Sequence, residues 1–272
     1  MSFTILRRNA EGTSGQSFAV LVLSCDKNAD VWSAFFKCFR ENFPAGDLPV
    51  YLGSNTKKCQ EPGVVTILSG SDPDWSTSLK RILEQIPQKK LFVIVEDFFL
   101  SSKVDKDVLK ALVDFMFEKK ANHIRYWANP APDLPTDNPL IGECTKGAPY
   151  RATVCGFWDR DYLLRSLLEG ENPWNFEIMG SYRTSYSDGF YATTSPLCEY
   201  KNMIEKGQWI PASVKWANHN GVSLLLEARP MLKGGGQLKS LLQMTIFTII
   251  LQIPWQFRVK LMTQLRKLFI SY

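Results

Sequence analysis

Short apolar runs punctuate the first hundred residues. Residues 18–24 (FAVLVLS) are apolar almost throughout and end at Cys25-Asp26-Lys27. Such a run predicts a strand buried on both faces. Apolar positions then switch to helical spacing over 29–42, where Val31, Trp32, Phe35, Phe36 and Phe39 line one side. Asn28 or Asp30 is placed to cap this helix. Residues 49–52 and 64–68 read as two further strands, the first followed by Gly53-Ser54-Asn55. An amphipathic helix is predicted over 75–86, with Asp72 or Asp74 near its positive end. Residues 91–95 (LFVIV) form a fourth strand that runs directly into Glu96-Asp97, and 105–119 is another helix.

This alternation predicts an α/β fold, a mostly parallel sheet flanked by helices. Ligands of such sheets bind beyond the carboxyl ends of the strands. Asp26 follows the first strand and Glu96-Asp97 the fourth, so these acids are expected close together over one sheet edge. Further on the signal weakens. Residues 129–149 are rich in Pro, Asp, Asn and Gly and predict a long loop. A strand is expected over 152–158 and a helix over 160–168. Residues 171–180 (ENPWNFEIMG) are dense in aromatic and acidic side chains, 181–195 read as a mobile polar segment, and 200–209 as a last pair of short elements.

The chain divides by charge. The formal charge is +5. Arg229, Lys233, Lys239, Arg258, Lys260, Arg266 and Lys267 all lie in the final segment, and no acid follows Glu227. Residues 1–228 therefore form a nearly neutral body, and 229–272 a basic tail. The tail reads as a glycine hinge (234–236) followed by two amphipathic helices over 238–253 and 257–269, broken by Pro254. Its uncharged stretch carries Gln243, Gln252, Gln256 and Pro254, so it suits a helix pair lying on an anionic membrane surface better than a spanning helix. The neutral body, without interleaved basic and aromatic patches, argues against nucleic acid as a partner.

Six cysteines occur without CxxC spacing and there are two histidines, which excludes the usual structural zinc pattern. The cysteines, Cys155 included, are expected as reduced core residues. The polar start, with Arg7, Arg8 and Glu11 and no apolar stretch, predicts no signal peptide. A cytoplasmic protein, peripheral at the inner face of the cytoplasmic membrane, is the resulting expectation.

Carboxylates at a strand end can hold a divalent cation that meets the charge of a diphosphate. The stretch VIVEDFFLSSKVD (93–105) resembles a family of bacterial glycosyltransferases of lipopolysaccharide, capsule and surface-polysaccharide synthesis. So do VLSCDKNADVWSAFFKCF (22–39), DPDWSTSLKRIL (72–83), GFWDRDYLLRSLLEGENPWNFEIMGS (156–181) and KGQW (206–209). The resemblance implies a GT-A-like fold that transfers sugar from a nucleotide-sugar donor to a glycan or lipid-linked acceptor. Glu96-Asp97 stands where an Asp-x-Asp metal motif is usual. Adjacent residues of a strand face opposite ways, so Asp97 is the expected metal (Mn or Mg) ligand. Ser24, Cys25, Asp26, Ser54, Asn55, Trp75, Lys80 and Glu96 are the implied donor-binding residues. An inverting transferase needs a carboxylate base. Glu177 is the first choice, then Glu171, with Asp159 an outside candidate. Trp174, Arg151, Tyr182 and Arg183 are the implied substrate-binding residues. A non-catalytic partner that binds nucleotide-sugar or glycan in an assembly complex is the alternative.

Overall fold

A computed structural model describes residues 18–233, 249, 252–254, 257–261 and 264. The start of the chain, the expected glycine hinge and most of the two expected tail helices lie outside these residues.

The first half follows the apolar pattern. Strand β1 (Phe18–Leu23) is buried at every position. A tight turn (Asp26–Val31) leads into helix α1 (Trp32–Asn42), whose Phe35, Phe36 and Phe39 are buried. Strands β2 (Val50–Ser54) and β3 (Val64–Leu68) follow, then helix α2 (Trp75–Leu83). Asp74 caps α2, accepting from Thr77 N at 2.9 Å, so Asp74 rather than Asp72 starts that helix. Strand β4 (Lys90–Val95) is again apolar except at its first residue. A three-residue strand, β5 (Phe98–Leu100), precedes helix α3 (Lys106–Glu118).

The second half holds short strands that periodicity does not reveal. They are β6 (His123–Arg125), β7 (Leu134–Pro135), β8 (Ile141–Glu143) and β9 (Gly156–Asp159). Helix α4 (Arg160–Ser166) and strands β10 (Phe190–Thr193) and β11 (Tyr200–Asn202) complete this part. The expected loop over 129–149 therefore contains β7 and β8, and the expected mobile segment over 181–195 contains β10. Two to four residues are too few to show a two-residue alternation, and these strands are held by their sheet neighbours instead.

Among the described residues, the main sheet runs β3-β2-β1-β4-β9-β6-β10-β8-β7. The first four strands are parallel, with Leu23 opposite both Gly53 and Val95. Strand β9 is antiparallel to β4 and β6, and β8 to β10 and β7; the other strands share one direction. Gly156 opens β9 at φ 147°, where a Cβ would run into the His123 ring. Phe92 of β4 anchors the core, with Phe43, Tyr126 and Phe157 at ring distances of 5.4, 5.4 and 4.9 Å.

The register places Asp159 opposite Lys90, at the start of β4. Lys90 Nζ donates to Asp159 Oδ2 at 3.0 Å and to Ala121 O at 2.8 Å. Asp159 Oδ1 also caps α4, accepting from Tyr162 N at 2.8 Å. Asp159→Ala would strand a buried ammonium and remove a cap. A loss of about 3 kcal/mol in unfolding free energy is expected, measured by urea denaturation.

Candidate functional site

Because β1, β2 and β4 are parallel and in register, their carboxyl ends emerge together. Ser24-Cys25-Asp26, Ser54-Asn55 and Glu96-Asp97 thus meet at one sheet edge, as the alternation of strands and helices predicted. What each side chain does there differs.

Asp26 is fully engaged by protein. Its carboxylate accepts from the backbone N of Asn55 (3.2 Å), Thr56 (2.9 Å) and Lys57 (2.9 Å), and from Thr56 Oγ1 (2.5 Å). Desolvation opposes ionisation, but these bonds outweigh it and hold Asp26 below the usual carboxylate range. Asn55 Oδ1 returns the contact by accepting from Asp26 N at 3.0 Å. Ser54 is buried and donates to Lys57 O at 2.5 Å. Asp26, Ser54 and Asn55 therefore clasp the loops after β1 and β2 into one rim.

Glu96 and Asp97 diverge, as adjacent residues at a strand end must. Glu96 is buried, and its Oε1 accepts from Asn28 Nδ2. Burial is the largest cause that raises its proton affinity, to about 8, and the neighbouring Asp97 charge adds to it. Asp97 is half-buried. Desolvation raises it too, opposed by its own backbone N–H and by the charge of Arg229. Ser24 Oγ accepts from Trp32 Nε1 at 2.7 Å. Asn28 and Asp30, read as helix caps, instead face inward: Asn28 holds Glu96, and Asp30 pairs with Arg229 at 2.5 Å.

Glu177 approaches the same edge from the segment after α4. Its Oε1 accepts from Val154 N at 3.0 Å, just before β9. Desolvation raises its proton affinity, while the Val154 bond and the charge of Arg125 pull the other way. The thiol of Cys155 and the hydroxyl of Tyr200 each feel both Glu177 and Asp97. Val154 and Cys155 lead into β9, whose Gly156 pairs with Val93, so Glu177 is held near the carboxyl end of β4.

The other expected residues scatter. Glu171 is tied to Arg183 by two bonds of 2.7 and 2.9 Å, so these two brace each other. Asp159 lies at the opposite end of β4, about 20 Å along the strand at ~3.3 Å per residue. Arg151 is buried, donating to the carbonyls of Cys144, Thr184 and Ser187 and stacking on Phe190. Tyr182 packs against Tyr186 at 6.4 Å. Trp75 packs on Phe176 at 5.6 Å, Lys80 lies half-buried on α2, and Trp174 is 72% exposed. Asn28 and Arg229, read as a helix cap and a tail cation, and Tyr200 were not expected at the site. Arg229 reaches Asp30 across 199 positions.

No family model and no curated protein matches this chain. It is similar in structure to solved glycosyltransferase-related chains. S. aureus TarS residues 1–349, solved with UDP, aligns at TM-score 0.46 and 10% identity, over 68% of this chain and 59% of that one. The longer S. aureus TarS aligns at 0.42 and 12% identity, over 68% and 36%. The glycosyltransferase GlyE of Streptococcus pneumoniae TIGR4, in its apo form, aligns at 0.38 and 12% identity, over 90% and 63%. This chain thus spans 36 to 63% of their lengths. At such scores the likeness assigns no chemistry, which rests on the residues above.

The carboxylate pair has a pH signature. The folded state holds a proton on Glu96 more tightly than the unfolded chain does. The resulting stabilisation is complete below the ordinary Glu range, near pH 4.5, and is lost as pH rises through about 8. The wild-type melting temperature should fall across pH 5 to 8.5 more steeply than that of Glu96→Gln, which keeps the acceptor for Asn28. Scanning calorimetry at a series of pH values reads the difference.

Proposed function

We propose that this protein is a GT-A-like glycosyltransferase that moves a sugar from a nucleotide-sugar donor to a surface-polysaccharide or lipid-linked acceptor, with inversion. The observation that supports this reading is a pair of desolvated carboxylates, Asp97 just past the end of β4 and Glu177 held by the Val154 N–H just before β9.

In this reading Glu177 is the base. Its raised proton affinity brings it closer to that of the acceptor hydroxyl and so improves proton transfer. The acceptor oxygen loses its proton to Glu177 and bonds to the anomeric carbon. On the opposite side the carbon–oxygen bond to the diphosphate breaks, and the electron pair leaves with the nucleoside diphosphate. The Val154 N–H fixes one Glu177 oxygen and leaves the other for the incoming hydroxyl. The Asp26 clasp sets the rim on which the nucleotide lies.

A divalent cation suits this site only as a shared ligand. Among the described residues no group of three or more His, Cys, Asp or Glu is placed to hold a metal. Glu96 is turned onto Asn28, which leaves Asp97. One carboxylate with diphosphate oxygens and water is an ordinary Mg or Mn set. Such an ion would neutralise diphosphate charge.

The acceptor side suggests a membrane surface. Leu168, Trp174, Ile178 and Met179, flanking Glu177, are 49, 72, 64 and 49% exposed. Among the described residues no helix is long and apolar enough to cross a membrane. In the tail, Ile249, Phe257 and Leu261 are exposed, while Arg258 is buried against Asp133. In this reading the tail rests on an anionic surface through its cations other than Arg258.

Glu177→Gln should lower transfer by roughly 100-fold or more while donor binding survives. Nucleotide release from a panel of sugar donors measures the first and calorimetric titration the second. Binding without any wild-type turnover would favour the non-catalytic partner. Reversing Arg266 and Lys267 to Glu in the full chain should weaken co-flotation with phosphatidylserine vesicles roughly tenfold or more, at about 1 kcal/mol per basic residue.

A further inference from the structure

Arg229 enters the site from far along the chain. After a helical turn at Leu226–Ala228 the backbone runs beside Trp209. Trp209 N donates to Pro230 O at 2.9 Å, and Leu232 N to Trp209 O at 2.8 Å. This strap carries the guanidinium onto the turn after β1, where the side chain is 8% exposed. Nε donates to Asp30 Oδ2 at 2.8 Å. Nη2 donates to Asp30 Oδ1 at 2.5 Å, Asn28 Oδ1 at 2.8 Å and Lys27 O at 2.9 Å. Nη1 takes part in none of these bonds. Asn28 relays the contact onward through its Nδ2 to Glu96.

An Arg–Asp pair by itself is a sufficient tether for a strap. Three observations ask more of this one. The pair uses one edge of the guanidinium fork and leaves Nη1 outside it. Asn28 bridges Arg229 to Glu96, so the guanidinium stands one side chain away from the acids that follow β4. The same turn is approached from the β2 side by Lys57, whose Nζ donates to Asp26 O at 3.3 Å. Two cations flanking one turn beside a carboxylate form a cradle for a multiply charged anion, which a tether does not require.

We infer that Arg229 binds the diphosphate of the donor and stabilises it as the leaving group, with the Asp26–Asp30 turn as its cradle and Lys57 opposite. This rests on the transferase reading above. As the anomeric carbon–oxygen bond breaks, the electron pair moves onto the diphosphate oxygen. A guanidinium already held in place is worth more to that growing charge than to the bound donor, so it speeds transfer.

The test uses the full chain, with inorganic pyrophosphate and a panel of nucleoside diphosphates titrated calorimetrically in EDTA and in manganese. Arg229→Gln and Asp30→Asn are compared. A tether predicts that both variants weaken binding alike, since each breaks the same pair. A ligand-binding Arg229 predicts opposite signs. Arg229→Gln should lose at least roughly tenfold in affinity, and about 100-fold in kcat for transfer, the usual loss for one oxyanion donor. Asp30→Asn, which frees the guanidinium, should bind as tightly as wild type or more so. Arg229→Lys should fall between. Equal losses in Arg229→Gln and Asp30→Asn, or unchanged affinity in Arg229→Gln, overturn the inference. Should Arg229→Gln not fold, Asp30→Asn decides: weakened binding overturns the inference, preserved or tighter binding supports it. Wild type that binds no nucleoside diphosphate overturns the transferase reading itself, and so is distinguishable from failure of Arg229 alone.

Discussion

Strands β1 and β4 are apolar on both faces, and a strand of that kind is stable only inside a sheet covered on both sides. Their parallel pairing, with Phe18 opposite Lys90 and Leu23 opposite Val95, satisfies the backbone while keeping every central side chain from water. The polar residues that follow each strand then have one place to go, the shared carboxyl edge. The clasp of Asp26, the inward turn of Glu96 and the half-burial of Asp97 all follow from where these two strands stop.

That edge is electrostatically crowded because it is half-dry. Burying Glu96 beside Asp97 is costly for two carboxylates, and the chain answers with Asn28 as donor and Arg229 as counter-charge. Arg229 is in turn steadied by Asp30. The chain Asp30–Arg229–Asn28–Glu96 joins the turn after β1 to residue 229 and to the end of β4. Glu177 is desolvated nearby but has a single backbone donor, so it and Asp97 remain available to a ligand.

Much of the first half was legible in the chain. The strand at 64–68 appears with its expected ends, and the helix starting at Trp75 is capped by one of the two aspartates proposed. Local apolar periodicity suffices there because each element is long enough to repeat. The second half was harder to read. Strands β6 to β10 have two to four residues each and exist because a neighbour offers a ladder. Site residues divided similarly. Glu96, Asp97 and Glu177 stand out as acids beside apolar runs. Arg151, implied as a substrate-binding residue, is buried among carbonyls instead.

The sequence by itself determined the α/β alternation, the edge at which acids collect and the charge contrast between body and tail. Each depends on residues near one another in the chain, where spacing is a physical constraint. Tertiary structure alone decided that Asp26 is spent on a loop, that Glu171 braces Arg183, that Asp159 sits at the far end of β4, and that Arg229 reaches Asp30. A side chain's role is set by which partner takes its hydrogen bonds and how much water remains. Those partners lie up to 199 positions away, beyond anything local spacing encodes.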